Sequence, residues 1–190
     1  MDLWQYEKEA AAEGYAAVCG CDEAGAGPLA GPVYAAAVIL PLGEDIPGLD
    51  DSKKLTEKRR EALFPVIQER ALDWSAAFVS AEEIDKTDIL SARMRAMQLA
   101  IDGLSRKPDF ALVDGNRDHG RSAAITISHR CIVKGDSLSA SIAAASILAK
   151  VRRDHFMVEM AAKYPEYRFD RHKGYGTKLH YALLREYGPC

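Results

Sequence analysis

Three segments join an apolar run to an acidic residue and a glycine: Cys21-Asp22-Glu23-Ala24-Gly25, Leu112-Val113-Asp114-Gly115-Asn116 and Val133-Lys134-Gly135-Asp136. A single carboxylate at a strand end is ordinarily a cap or turn residue, because aspartate folds back onto nearby backbone N–H groups. Three such ends on one sheet edge converge, and carboxylates held close repel one another unless cations sit among them. An all-oxygen set of this kind suits a hard divalent ion that keeps part of its water, Mg2+ or Mn2+. Asp22 and Glu23 are adjacent and would point to opposite faces of a regular strand. Both serve one site only if the strand ends or bulges between them, and Gly25, Gly27 and Pro28 supply the expected ending.

A second chemistry is written in the distribution of charge. The 190 residues carry a net charge of −3, which excludes a simple histone-like binder. Residues 150–180 nevertheless hold eight basic against four acidic residues, a local +4, while residues 1–149 total −7 from 16 basic and 23 acidic. Phe156, Tyr164, Tyr167, Phe169 and Tyr175 are interleaved with that basic excess. Phosphate-pairing cations mixed with stacking rings are what a polynucleotide surface uses, although a solvated helix face shares part of the pattern.

The elements that must position these groups follow from periodicity. Residues 15–22 and 32–40 are short apolar runs bounded by glycine and proline, and predict two strands joined by a turn in the manner of a hairpin. Residues 56–71 have helical spacing of Leu63, Val66 and Ile67, with Thr56 as N-cap and Pro65 as a kink. A third strand is expected over 74–79, a helix start at Ser80 and a longer helix over 89–104 with Leu90, Met94, Met97 and Ile101 on one face. Residues 110–114 form a buried strand that ends on a carboxylate, residues 124–127 and 131–133 add strand material, and helices follow over 137–164 and 177–187. The alternation is α/β with a mixed sheet.

Length and composition fit one compact domain: 48% of residues are hydrophobic and 28% charged, with no repeat or long linker. Cys19, Cys21, Cys131 and Cys190 lack redox or zinc spacing and are read as small buried hydrophobes. The longest apolar stretch, Val33 to Leu40, is far below the roughly 20 residues of a membrane span. The residues from Met1 to Glu7 lack a secretion signal, so a cytoplasmic location is expected. Gly25 to Gly31 is not followed by the Gly-Lys-Ser/Thr of a nucleotide-binding phosphate loop.

Beyond these separate signals, the blocks Asp22-Glu23-Ala24-Gly25, Gly27-Pro28-Leu29-Ala30-Gly31-Pro32-Val33, Asp51-Ser52-Lys53-Lys54-Leu55, Val113-Asp114-Gly115-Asn116, Lys134-Gly135-Asp136, Ala143 to Asp154 (AAASILAKVRRD) and His172-Lys173-Gly174-Tyr175 occur in order along nearly the whole chain. In that series the chain resembles the bacterial ribonuclease HII family, the type 2 ribonucleases H. The resemblance implies a ribonuclease H-like fold, with a central five-stranded mixed sheet flanked by helices and a C-terminal helical part over 150–190 that helps hold substrate. It implies an endonuclease that cuts the RNA strand of RNA/DNA hybrids and incises at ribonucleotides embedded in duplex DNA; the chain itself is expected to be a monomer.

Carried over by position, Asp22, Glu23, Asp114 and Asp136 match the family's four acidic ligands for two divalent ions, which would bracket the scissile phosphate at a separation of about 4 Å and leave 5′-phosphate and 3′-hydroxyl ends. The turn that reads the ribose 2′-hydroxyl maps to Gly25, Ala26 and Gly27, and Tyr175 matches the tyrosine that stacks near the ribose at the junction. Ser52, Lys53, Lys134, Lys150, His172 and Lys173 are candidates for phosphate contacts, or else ordinary surface groups. Asp154, beside Arg152 and Arg153 within a helix, is expected to form an ion pair rather than bind metal. Two departures from the family pattern stand out. Arginine ordinarily lies where Ala26 stands, and many relatives continue past Gly188-Pro189-Cys190 with a short basic segment. Both departures motivate an alternative, a hybrid-binding module with weakened catalysis.

Overall fold

A computed structural model describes residues 2–190. Its centre is a five-stranded sheet in the order β3-β2-β1-β4-β5, formed by β1 (Val18–Ala24), β2 (Val33–Ile39), β3 (Asp73–Val79), β4 (Phe110–Asp114) and β5 (His129–Ile132). The first three strands are antiparallel neighbours, while β4 pairs parallel with both β1 and β5. The sheet is therefore mixed, and its opening β1-β2 pair is the expected hairpin.

Alternation along the strands assigns each face its partner. Val33, Ala35, Ala37 and Ile39 of β2 join Cys19 and Cys21 of β1 in a core with helix α4 (Ile89–Asp102), whose Met94, Met97 and Ile101 are buried there. Ala36 and Val38 face the other way, against α2 (Glu57–Arg70) and the 24-residue α5 (Ala140–Lys163). Gly20 is where α5 meets the sheet. A Cβ at that position would sit on the backbone of Ser141 and Ile142, so the absence of a side chain sets how closely the helix docks. The fully buried Ala143, Ala144 and Ala145 continue that close approach.

At about 1.5 Å per residue, α5 is some 36 Å long. Its first half lies beneath the sheet. Its second half carries the remaining elements, α6 (Phe169–His172) and α7 (Lys178–Tyr187), over a small core of Met157, Tyr167 and Phe169. Two shorter helices complete the chain, α1 (Gln5–Ala12) and α3 (Ala81–Lys86). Among the described residues no helix is long and apolar enough to cross a membrane.

Several expectations need correction. Residues 124–127 form no strand; Ala124 makes only an isolated bridge to His119, and strand pairing resumes at His129. The strand β1 begins at Val18 and continues to Ala24, two residues past Asp22, without ending between the two acids. Cys19 and Cys21 are buried, as expected, but Cys131 is half-buried and Cys190 exposed.

Candidate metal centre

The carboxylates sit where strands leave the sheet. Cys21 of β1 pairs with Val113 of β4, so Asp22 and Asp114 each lie one residue beyond that pair on adjacent parallel strands. Both share the parity of Gly20 and Leu112 and so point to the α5 side. The chain after β5 makes a left-handed step at Lys134 (φ 59°) and a short 3-10 turn at Gly135–Ser137, which brings Asp136 back over the strand ends. The backbone N–H of Asp136 donates to Asp114 Oδ1 at 3.3 Å. Carboxylate oxygens of Asp22, Asp114 and Asp136 consequently all lie within 4.8 Å of one another.

This proximity is electrostatically unfavourable without a cation. Burial, then the charges of Glu23 and Asp114, push the Asp22 carboxyl well above its ordinary pKa. Asp114 is raised by burial and by Asp136. Burial also raises Asp136, although Lys53, whose Nζ lies 3.2 Å from its Oδ2, pulls the other way. Partial desolvation beside the acids opposes the charge on the otherwise exposed Lys53, but Asp136 outweighs it and raises the lysine. Two buried acids and one half-buried acid, all held on the neutral side of their usual range, are a site short of positive charge.

Glu23 departs from expectation. Because β1 stays regular through both acids, Glu23 has the opposite parity to Asp22 and faces α4, where Arg93 Nη2 meets its Oε1 at 2.9 Å. It is not among the three acids whose oxygens converge. Its second oxygen, Oε2, is buried without a hydrogen-bond partner, as is Arg93 Nε. An orphaned carboxylate oxygen beside three crowded acids fits a cation rather than a closed ion pair.

The loop that delivers Lys53 is held by charges from two helices. Arg60 Nη1 donates to the carbonyls of Ser52 and Leu55 at 3.0 and 2.7 Å, and Arg60 Nη2 lies 3.6 Å from Asp154. Asp154 also accepts from Lys150 at 2.6 Å, so it is the expected ion-pair residue. Ser52 is buried and accepts from Ser146 Oγ at 2.6 Å. It ties the loop to α5.

Gly25 adopts φ 110°, and a Cβ there would run into Arg153 Nε. The turn formed by Gly25, Ala26 and Gly27 therefore rests on the buried guanidinium of Arg153. Tyr175 is 41% exposed, with Lys150 Nζ 5.3 Å and Arg153 Cζ 5.8 Å from its ring centroid. His172, expected on the surface, is buried instead: its Nε2 meets the Tyr167 carbonyl at 2.8 Å and its Nδ1 accepts from the Gly174 N–H at 3.2 Å. Lys134 is exposed, whereas Lys173 is half-buried and donates through Nζ to the Asp170 carbonyl at 2.6 Å.

Three arginines were not singled out from sequence as parts of the site: Arg60, Arg93 and Arg153. Arg93 and Arg153 carried a readable signal, since each occupies an apolar stripe, Arg93 with Ala96, Met97 and Ala100, Arg153 with Ala149 and Met157. A cation on a buried face must have partners.

The chain has relatives among known proteins. Residues 19–190 match the family model described as Ribonuclease HII. The chain is 49% identical over 189 residues to the Ribonuclease HII of Caldicellulosiruptor bescii, covering 100% of this chain and 90% of that protein. It is 55% identical over 173 residues to the Ribonuclease HII of Burkholderia pseudomallei, covering 91% and 79% respectively. The crystal structure of ribonuclease H2 from Pyrococcus horikoshii superposes with a TM-score of 0.73 at 26% identity, covering 92% of this chain and 90% of that one.

Proposed function

The chain belongs to the ribonuclease HII family and is a metal-dependent ribonuclease H acting on RNA/DNA hybrids; we propose that it also incises duplex DNA at single embedded ribonucleotides, with Asp22, Glu23, Asp114 and Asp136 holding two divalent ions. The observation that carries the assignment is the convergence of Asp22, Asp114 and Asp136 on one sheet edge beside the unpartnered Glu23 Oε2. Mg2+ or Mn2+ held by these four acids would supply Lewis-acid charge to activate the attacking water and to neutralise the departing 3′ oxygen.

The chain's own groups do the rest. The backbone of Gly25, Ala26 and Gly27 reads the ribose 2′-hydroxyl, which offers both a donor and an acceptor to main-chain groups at close range. Tyr175, with its exposed edge, stacks beside the ribose at the junction. Lys53, Lys134, Lys150 and Lys173 contact phosphates and fix the register of the duplex without reading its sequence. Ser52 and His172 support these groups from behind. Residues 150–190 form a basic helical part of a single domain and extend the surface that holds the duplex.

The weakened binding module is not the favoured reading, because the acidic cluster is assembled and the family is enzymatic. We assign the enzyme to the cytoplasm as a monomer. The test is a 5′-labelled DNA duplex carrying one ribonucleotide, incubated with Mg2+ or Mn2+. A single nick with 5′-phosphate and 3′-hydroxyl ends is expected. Intact strands at high concentrations of folded protein would overturn the proposal.

A further inference from the structure

Arg153 is fully buried and heads the described residues with the largest such side chains. Its neighbour Asp154 is already engaged by Lys150 and Arg60, so the guanidinium is not committed to a carboxylate hydrogen bond. It spends its donors on three backbone carbonyls instead. Nε donates to Pro32 at 3.0 Å, Nη2 to Ala30 at 3.0 Å and Nη1 to Lys173 at 2.8 Å. Burying a cation is costly unless it is hydrogen-bonded, and an apolar residue would fill this stripe of α5 as Ala149 and Met157 do. What an apolar residue cannot do is join segments some 140 residues apart.

Those segments are the two halves of the proposed ribose-reading surface. Residues 30–32 close the loop that begins with the Gly25–Gly27 turn, and Lys173 begins the loop that displays Tyr175. They meet directly as well: the Leu29 N–H donates to the Gly174 carbonyl at 2.9 Å. Gly174 adopts φ 84°, and a Cβ there would collide with the Ala30 carbonyl. Gly25 lies against Arg153 Nε and Cδ. The guanidinium touches the turn on one side and lies 5.8 Å from the Tyr175 ring centroid on the other.

We propose that Arg153 is a positioning residue: it fixes the spacing between the Gly25–Gly27 backbone and Tyr175, and through that spacing sets the selection of ribose over deoxyribose at the cut. The inference rests on the reading that the turn and Tyr175 contact the junction ribose. A backbone group reads a 2′-hydroxyl only within hydrogen-bond range, so a displacement of about 1 Å between the halves is enough to cost about a hundredfold in rate. Lysine at 153 keeps the charge but offers one ammonium where a planar fork spans three carbonyls.

The experiment measures nicking of a duplex with one ribonucleotide by Arg153→Lys, Gly174→Ala, Tyr175→Ala and the Arg153→Lys/Tyr175→Ala and Gly174→Ala/Tyr175→Ala doubles. Circular dichroism and Mn2+ binding serve as controls for fold and acidic cluster. Arg153→Lys is expected to lose about a hundredfold in kcat with KM changed by less than about threefold, with Mn2+ affinity retained. Each double should be no worse than its more severe single, because both changes act through the same ring. Should Arg153→Lys fail to fold, Gly174→Ala carries the test, since it separates the two segments without altering the guanidinium. Losses that multiply while Tyr175→Ala alone is impaired, or a change confined to KM, overturn the role of Arg153 and leave the ribose reading intact. Wild-type nicking by Tyr175→Ala removes that reading first, and this inference with it.

Discussion

Glu23 and Arg93 form an ion pair at 2.9 Å on the sheet face opposite to Asp22, and the glutamate's other oxygen is buried with nothing to accept from. Adjacent acids on one regular strand thus present carboxylates from two faces to one sheet edge. Arg93 satisfies one oxygen of the second and leaves the other without a partner.

Asp22→Asn and Asp114→Asn should each abolish cutting, by at least about a thousandfold, while leaving the metal-free protein as stable or more so. Removing one of several clustered negative charges relieves repulsion and so stabilises the metal-free fold. Urea denaturation with EDTA, beside the nicking assay, checks both halves. Turnover at the wild-type rate in either variant contradicts the assignment.

Ala26→Arg should raise the nicking rate by about tenfold or more. Ala26 lies in the turn beside the proposed ribose site and is half-buried, and an arginine there adds a charge-assisted contact to the phosphate backbone that alanine lacks. The salt dependence of binding should steepen in the same variant. An unchanged rate and salt slope would mean that the residue at 26 does not face the substrate.

Gly20→Ala should destabilise the fold by about 2 kcal/mol or more, because its Cβ would press on the backbone of Ser141 and Ile142 and push α5 off the sheet. Thermal denaturation checks it. Since α5 follows directly from the turn that carries Asp136, Mn2+ affinity should fall in the same variant. A neutral substitution would show that α5 docks less closely than the geometry requires.

Burial holds the His172 imidazole below its ordinary pKa, and both of its hydrogen bonds require the neutral ring with the proton on Nε2. For a base depressed in the folded state, the contribution to stability is complete above the unfolded value of about 6.5 and is lost as pH falls from there through the folded pKa. His172→Gln should therefore flatten the decline in stability between about pH 6.5 and 5 relative to the parent protein, measured by urea titration. Parallel curves for the two proteins would contradict this account.

Much of this architecture is written locally. Residues 110–114 can be read to the residue because an unbroken apolar run sits between Pro108 and the turn at Gly115. Thr56, Ser80 and Thr177 cap the helices that follow them, each accepting an N–H three residues on. Helix α1 had no such signal. Only Glu7 and Ala10 of it are buried, and its place depends on Glu7 accepting from Ser139 and Ser141 at the start of α5, a contact more than 130 residues away in the chain. The acids of the centre were legible as types at strand ends, but the separate face of Glu23 follows from β1 staying regular to Ala24, which the glycines after it do not reveal. His172 and Ser52 looked like surface groups because polarity suggests exposure, whereas tertiary partners bury them.

In the proposed centre, four acids from separated parts of the chain trap paired cations. Equilibrium Mn2+ binding, counted by electron paramagnetic resonance on the protein with a nicked product duplex, tests it most directly. Two ions per chain are expected, falling in Asp22→Asn and Asp114→Asn. No bound Mn2+, or a stoichiometry that those substitutions leave unchanged, would contradict it.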